Sequence, residues 1–334
     1  MAGHTVPRSS AAESIGSLLE SPEIAALVSE LDELRWTGRK GYGARTLVAA
    51  CLVKSIYAIP TWTKVAALIA EHEALRAVCG GTPSQWALYR FTVKLRENAP
   101  LLAACLDRVT AALTVELPEV GKDVAIDASD LPAWANGQRF LRKGGPERET
   151  FSDPHASWGH RSAVSTRSHG GFYGYRVHLA VCAKSGLPLA WRVRTGRENE
   201  TLSIEPLLDA LAARGFTPET VAMDKAYDLQ TVHESCEQRG VVAITPLRKT
   251  PEVKRGAHLA PECEHGRWTF AGADFKRKRS KHRCPSGACE PKSTWIKASR
   301  LHPLVPRDSR RFTELYRGAQ RSSASSAGSR TSTP

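Results

Sequence analysis

Between residues 18 and 117 the apolar positions recur at helical spacing. Leu47, Val48, Cys51, Leu52 and Ile56 predict a helix over 44–59 that stops at Pro60. Thr61 or Thr63 is placed to cap the next, which carries Val65, Leu68, Ile69 and Leu75 and closes at Gly80-Gly81. Pro83-Ser84 opens another, with Trp86, Tyr89, Phe91 and Leu95 as its apolar positions, and 101–117 reads as a further helix. Short helices with tight Gly or Pro breaks suit a helix-turn-helix DNA-binding domain and a plain helical bundle equally. Residues 1–17 carry no such pattern and read as a disordered N-terminus.

The period changes at Asp123. Val124-Ala125-Ile126 is a short apolar run ending in Asp127, which predicts a strand. A loop over 138–171, rich in Arg, Gly, Ser and His, is too irregular to assign. Tyr173, Tyr175, Val177, Leu179 and Val181 alternate, so 172–183 reads as a strand, turned at Ser185-Gly186 into a return strand over 187–194. A helix over 201–214 pairs Leu207 with Leu211 and Leu208 with Ala212. Thr220 to Met223 is a short buried strand, again ending in an aspartate, Asp224. Asp228 is placed to cap a helix with Leu229, Val232 and Cys236 on one face, and 241–245 is a fifth strand. The order strand, strand, strand, helix, strand, helix, strand over 123–245 predicts an α/β mixed sheet flanked by helices. In that topology the first and fourth strands lie side by side, and Asp127 and Asp224 face one another.

Charge sharpens this picture. The chain has 47 Lys+Arg against 34 Asp+Glu, a formal net charge of +13. From Arg267 to Arg317 there are 14 basic residues and four acidic ones. Such a stretch is either an electrostatic footprint for nucleic acid or a solvated basic loop. The longest apolar run, Leu47 to Val53, is far short of the ~18–20 residues of a membrane span. The N-terminus lacks the apolar stretch of a secretory signal, so the expected location is cytoplasmic, with no membrane partner. Eight cysteines are then expected as reduced thiols or metal ligands.

Two aspartates converging beside a basic groove suit a hard divalent cation, Mg²⁺ or Mn²⁺, with positions left for phosphate oxygens. The alternative is that both are ordinary strand-end acids capping loops. Asp123, Asp130 and Asp228 are the neighbouring acids that could replace them. Candidate DNA contacts are Lys225 and Tyr227 beside the acids, Arg161 and Arg167 in the loop, and Tyr316 and Arg317 near the C-terminus; loop packing and solvation explain Lys225 and Tyr227 about as well. His178 reads as an ordinary strand histidine.

Three segments resemble the DDE transposases of bacterial insertion sequences. They are Ile126-Asp127-Ala128-Ser129, Gly174-Tyr175-Arg176-Val177-His178, and Met223-Asp224-Lys225-Ala226-Tyr227-Asp228. They occur in the family's order, and 41–98 is similar to its N-terminal helical domain. The resemblance implies a ribonuclease H-like catalytic core with Asp127 and Asp224 as metal-binding aspartates. It also implies Mg²⁺- or Mn²⁺-dependent cleavage of double-stranded DNA at terminal inverted repeats, strand transfer into target DNA, and a homodimer on DNA. The domain boundaries it suggests are 18–117 helical and DNA-binding, 123–245 catalytic, 246–311 a basic insertion, and 312–318 the start of the final helix. A DNA-binding remnant without catalysis and a stand-alone nuclease are the competing readings.

Two features stand apart. Cys263, His265, His282, Cys284 and Cys289 could hold zinc, but five candidates compete for four places at no familiar finger spacing, and reduced thiols are the favoured reading. The family's final helix follows Tyr-x2-Arg-x3-Glu-x6-Lys, and its Glu completes the metal site. Here Phe312 to Gly318 enter that helix, and then 319–334 turn to Ser, Thr, Gly and Ala with no acid. Ser322-Ser323 can be encoded so that a shifted frame reads glutamate. The expectation is therefore an out-of-frame, disordered tail and a lost third carboxylate.

Overall fold

The structure, a computed structural model of the chain, describes residues 10–34, 41–161 and 170–318. Two compact units divide between Glu116 and Leu117. The first is helical: α1 (Ala11–Glu20), α2 (Pro22–Glu33), α3 (Ala44–Ile56), α4 (Trp62–Glu71), α5 (Glu73–Cys79), α6 (Gln85–Glu97) and α7 (Ala99–Glu116). Ile15, Leu31, Ala49, Val53, Val65, Ile69 and Leu88 meet in its core. Each larger aliphatic side chain, fully buried, contributes ~1.5–3 kcal/mol. Thr61 caps α4 by accepting from the Lys64 N–H, and Ser84 caps α6 from Ala87. The helix expected to run from 61 to Gly80 breaks at His72 into α4 and α5. Gly80 closes α5 at φ 66°, a conformation glycine adopts without strain.

Part of the N-terminus expected to be disordered is ordered. Ser10 accepts from the Glu13 N–H while the Glu13 carboxylate accepts from the Ser10 N–H, a capping box that starts α1 and lets Ile15 be buried. Trp86 and Tyr89 are exposed, and Leu88 and Phe91 form the buried face of α6 instead.

The second unit is built on a mixed sheet. Its strands are β1 (Asp123–Pro132), β2 (Ser157–Arg161), β3 (Gly170–Cys182), β4 (Pro188–Thr195), β5 (Thr220–Met223) and β6 (Val242–Ile244). β1 pairs antiparallel with β3 and parallel with β5, β5 is parallel to β6, and β4 pairs β3. The order β4-β3-β1-β5-β6 is that of a ribonuclease H-like sheet. A 3-10 turn (Glu200–Ser203) leads into α8 (Ile204–Ala213), and a second (Lys225–Tyr227) precedes α9 (Gln230–Gln238). Val124, Ile126, Met223, Leu207, Leu208, Leu211 and Val232 pack together on one side of the sheet. On the other, Ala125, Val181, Ala222 and Ile244 pack against Val305 and Phe312.

β2 lies inside the loop that composition leaves unassigned. Its signal is weak because Gly159 interrupts it, and the glycine is required: a Cβ there would meet the Phe172 ring at 2.5 Å and the Gly196 carbonyl at 2.6 Å. β1 also runs five residues past Asp127, because its antiparallel partner β3 continues after β5 has ended.

After β6 come α10 (Pro251–Lys254), a hairpin of β7 (Glu262–Cys263) and β8 (Gly266–Arg267), and a three-stranded sheet of β9 (Thr269–Asp274), β10 (Arg279–Arg283) and β11 (Ser293–Lys297). The chain returns to the main sheet through α11, residues 310–318. That return is held by Asp228. Fully buried, it accepts from Arg300 at 2.9 Å, Arg307 at 2.9 Å and the Arg248 N–H at 2.8 Å, and lies 3.1 Å from His233. Leu229, not Asp228, occupies the N-cap position of α9. Burial pushes the Asp228 pKa up, but the hydrogen bonds and the two guanidinium charges outweigh it and hold it below the usual carboxylate range. Two residues of the basic stretch are thereby committed to internal pairing.

Replacing Asp228 by Ala takes a shared buried carboxylate from Arg300 and Arg307, leaving them only Glu252 and the Thr245 carbonyl, and should cost up to ~3–5 kcal/mol of stability, read as a fall in the urea midpoint. A midpoint within error of the parent would show that the Arg300 and Arg307 charges do not depend on it.

Candidate active site

The last residue pair of the parallel β1–β5 ladder is Ile126 opposite Met223. One step further along each chain stand Asp127 and Asp224. Strand alternation puts Asp127 on the side of Ala125 and Asp224 on the side of Ala222, the side of the sheet on which α11 packs. Asp127 accepts from the Ala128 N–H at 2.8 Å, and Asp224 caps the 3-10 turn by accepting from Ala226 at 2.8 Å. Each carboxylate keeps acceptor capacity facing solvent, and among the described residues neither has an ion-pair partner. Although Asp127 is open to solvent, the protein around its carboxylate displaces enough water to push its pKa up. The Ala128 hydrogen bond opposes that rise, and the Asp224 charge adds to it. The two negative charges are thus close enough to repel.

Sequence reasoning does not find the acid and base beside them. Arg176, in the middle of β3, is 2.9 Å from Glu200 and 3.5 Å from Asp130, and also donates to the His160 carbonyl. Burial raises the Glu200 pKa, Arg176 lowers it, and the charges of Asp224, Asp127 and Asp130 raise it again. Glu200 therefore feels both central aspartates while its own charge is balanced by Arg176. Next to this group a crevice is lined by Trp158, His160, Arg176, Arg197, Glu200 and Ala226. Arg197 is exposed there. No motif signals Glu200, because its place depends on the length of β4 and the turn that follows it.

The expected DNA contacts separate. Lys225 and Arg317 are exposed. Tyr227 is fully buried in the core under α8 and α9, so its ring cannot reach a DNA backbone. Its pKa is pushed up by burial and by the Glu200, Asp127 and Asp224 charges. Tyr316 stacks on Phe312 with ring centroids 5.9 Å apart and packs against the sheet, so it fixes α11 rather than offering a free surface. Arg161 lies on β2 with its side chain outside what the structure describes, and Arg167 lies outside the described residues, as does the tail 319–334. Of the five possible zinc ligands, Cys263, Cys284 and Cys289 come together. His265 and His282 stand outside that group, and His282 is bonded through Nε2 to Ser280.

A family model described as a transposase DDE domain matches residues 120–318. No curated protein matches the chain. Among solved structures, the Mos1 transposase paired-end complex with the left transposon end aligns at 10% identity over 71% of this chain and 73% of that one, with a TM-score of 0.21. The Mos1 strand transfer complex aligns at 11% identity over 98% and 94%, with a TM-score of 0.24. Likenesses that weak carry no weight for the chemistry of this chain. Among the described residues no helix is long and apolar enough to cross a membrane.

His178, directly across β3 from the site strand, is buried with neither ring nitrogen bonded among the described residues. Burial, then the nearby Arg176 and Arg192 charges, lower its pKa to about 4. An unfolded imidazole protonates near ~6.5, so between those values the unfolded state binds more protons. Stability should be full above pH ~6.5 and fall as the pH drops toward 4, by up to roughly 3 kcal/mol from this residue. Urea midpoints at pH 7 and pH 5 should differ less in His178→Gln than in the parent; equal differences would exclude His178 as a source.

Proposed function

The chain belongs to the DDE transposase family and is a DNA transposase, and from that premise we propose that Asp127 and Asp224 are its metal-binding catalytic carboxylates. The observation that carries this is their position one step beyond the last β1–β5 pair, side by side and without ion-pair partners among the described residues. Enzymes of this family use a divalent cation such as Mg²⁺ or Mn²⁺. Two hard, unneutralised oxygen donors fit such an ion, and Asp127 and Asp224 would hold it. When bound, it supplies Lewis-acid stabilisation of the scissile phosphate and activation of the attacking hydroxyl. Arg176 pairs with Glu200 and Asp130 and offsets part of their charge, whereas the central pair has no cation beside it among the described residues. Lys225 and Arg197, both exposed beside the acids, would hold the DNA backbone on either side of the cleaved bond.

The substrates are the terminal inverted repeats of an insertion sequence and its target DNA, bound by a homodimer, with the helical unit contributing end recognition. Strand transfer by this chain is impaired. The element that bears the third carboxylate in this family is the final helix, and α11 packs on the side of the sheet that carries Asp127. Past it, residues 319–334 contain no Asp or Glu. A DNA-binding remnant that occupies element ends without cutting them is the second reading, favoured by that same missing acid.

The test is nicking and strand transfer on inverted-repeat DNA with Mg²⁺ or Mn²⁺. The chain should nick weakly, Asp127→Ala and Asp224→Ala should lose that activity, and both variants should still bind DNA. Replacing 319–323 by Arg-Ala-Ala-Val-Glu, with the helix continued, should raise strand transfer by orders of magnitude. Metal-dependent nicking that survives both aspartate substitutions would sink the assignment. Binding without any nicking, even after the helix is restored, would leave the remnant reading. Arg197→Ala should weaken binding to specific and random DNA alike and lower the salt dependence by about one ion.

A further inference from the structure

The segment from Glu262 to Lys297 lacks a core of its own. Ser280, His282 and Cys284 are its three buried residues; of its large apolar side chains Trp268 and Ile296 are only half-buried, and Phe270, Phe275 and Trp295 are exposed. Arg279 and Lys281 cover the Trp295 ring at 4.3 and 5.7 Å, which shields it without forming an interior. A β unit of this size buries too little apolar surface to hold its shape by the hydrophobic effect alone. Units of this kind are commonly held by a cross-link or a metal.

The structure supplies three ligands where such a staple would sit. Cys263 comes from the β7–β8 hairpin, Cys284 from the end of β10, and Cys289 from the loop after it. Their sulfurs all lie within 4.8 Å of one another. Cys263 Sγ and Cys284 Sγ are 3.8 Å apart. Two sulfurs each ~2.3 Å from a zinc ion at a tetrahedral angle are ~3.8 Å apart. The backbone is shaped to make the cluster. Cys284 opens a tight turn in which the Gly287 N–H donates to its carbonyl at 3.2 Å, and Gly287 at φ 70° sends the chain back toward Cys289.

We propose that Cys263, Cys284 and Cys289 bind one structural zinc ion that joins the β7–β8 hairpin to the β9–β11 sheet. Three thiolates select zinc over the hard cations suited to the aspartate pair, so the two sites take different metals. The fourth position is open to His265, in the hairpin turn two residues from Cys263, or to water. In the sequence this possibility ranks behind plain thiols because five candidates are spread over 27 residues and their order says nothing about which meet. The fold selects three and sets His282 aside. The site is separate from the aspartates and does not depend on their catalytic role.

The full chain, purified without chelator, should carry one zinc per molecule by elemental analysis and release it on thiol modification. Cobalt substituted for zinc should give thiolate charge-transfer and tetrahedral d–d bands. Cys284→Ser and Cys289→Ser should lose the metal and become sensitive to protease between 262 and 297, while Cys51→Ser, in α3, should retain it. The cobalt spectrum of the parent chain is the readout that stands even if a variant fails to fold. Absence of zinc and of cobalt uptake by the reduced chain, or unchanged zinc content in the two serine variants, would each overturn the proposal.

Discussion

The parallel pairing of β1 with β5 is the constraint on which the site depends. It joins segments almost a hundred residues apart through a four-residue register, Asp123 to Ile126 against Thr220 to Met223. Backbone hydrogen bonds fix that register, and the alternation of side chains then fixes which face each residue meets. A slip of one residue would turn Asp127 toward the α8 side and put Ala125 where Ile126 now packs. Because apolar residues fill both faces through position 126, such a slip would expose one buried layer and overpack the other. The placing of the two aspartates and the packing of the core are therefore specified by the same few contacts.

A second tie brings the end of the chain to the same place. The insertion after β6 departs from the sheet and must return before α11 can dock. Asp228, four residues beyond Asp224, gathers Arg300 and Arg307 from the returning segment. A buried carboxylate shared by two guanidinium groups is costly to desolvate and tolerates few alternative arrangements. It anchors the return near the central strands, so that Phe312 and Tyr316 settle on the side that carries Asp127.

Much of this is legible in the sequence, and the remainder divides by physical cause. Helices and strands follow from periodicity, and the meeting of Asp127 with Asp224 follows from the right-handed crossover rule, because both are consequences of local pattern plus chain chirality. β2 is hidden because an edge strand containing a required glycine has no hydrophobic alternation. Tyr227 and Tyr316 resemble DNA contacts because an aromatic beside a motif acid looks the same whether it faces solvent or core; only packing tells them apart. Glu200 and Arg176 escape the sequence because their pairing joins the middle of β3 to a turn after β4. The Ser10–Glu13 capping box is a local signal, readable from Ser-x-x-Glu alone, yet it sits in a stretch whose composition suggests disorder.

The arrangement of charge singles out the aspartate pair. Four acids act on one another here, Asp127, Asp130, Glu200 and Asp224, and Asp228 follows four residues after the last of them. In a chain of net charge +13, nearby cations could have neutralised all of them. They do not. Among the described residues Arg176 pairs with Asp130 and Glu200, Arg300 and Arg307 pair with Asp228, and Asp127 and Asp224 face solvent with only backbone donors. Leaving two adjacent carboxylates unpaired costs electrostatic repulsion, and the upward push on Asp127, which comes first from burial, includes a contribution from the Asp224 charge. A divalent cation removes that repulsion. With the other acids paired to arginines, a cation bound as proposed would meet the least compensated carboxylates at the point where the parallel ladder ends.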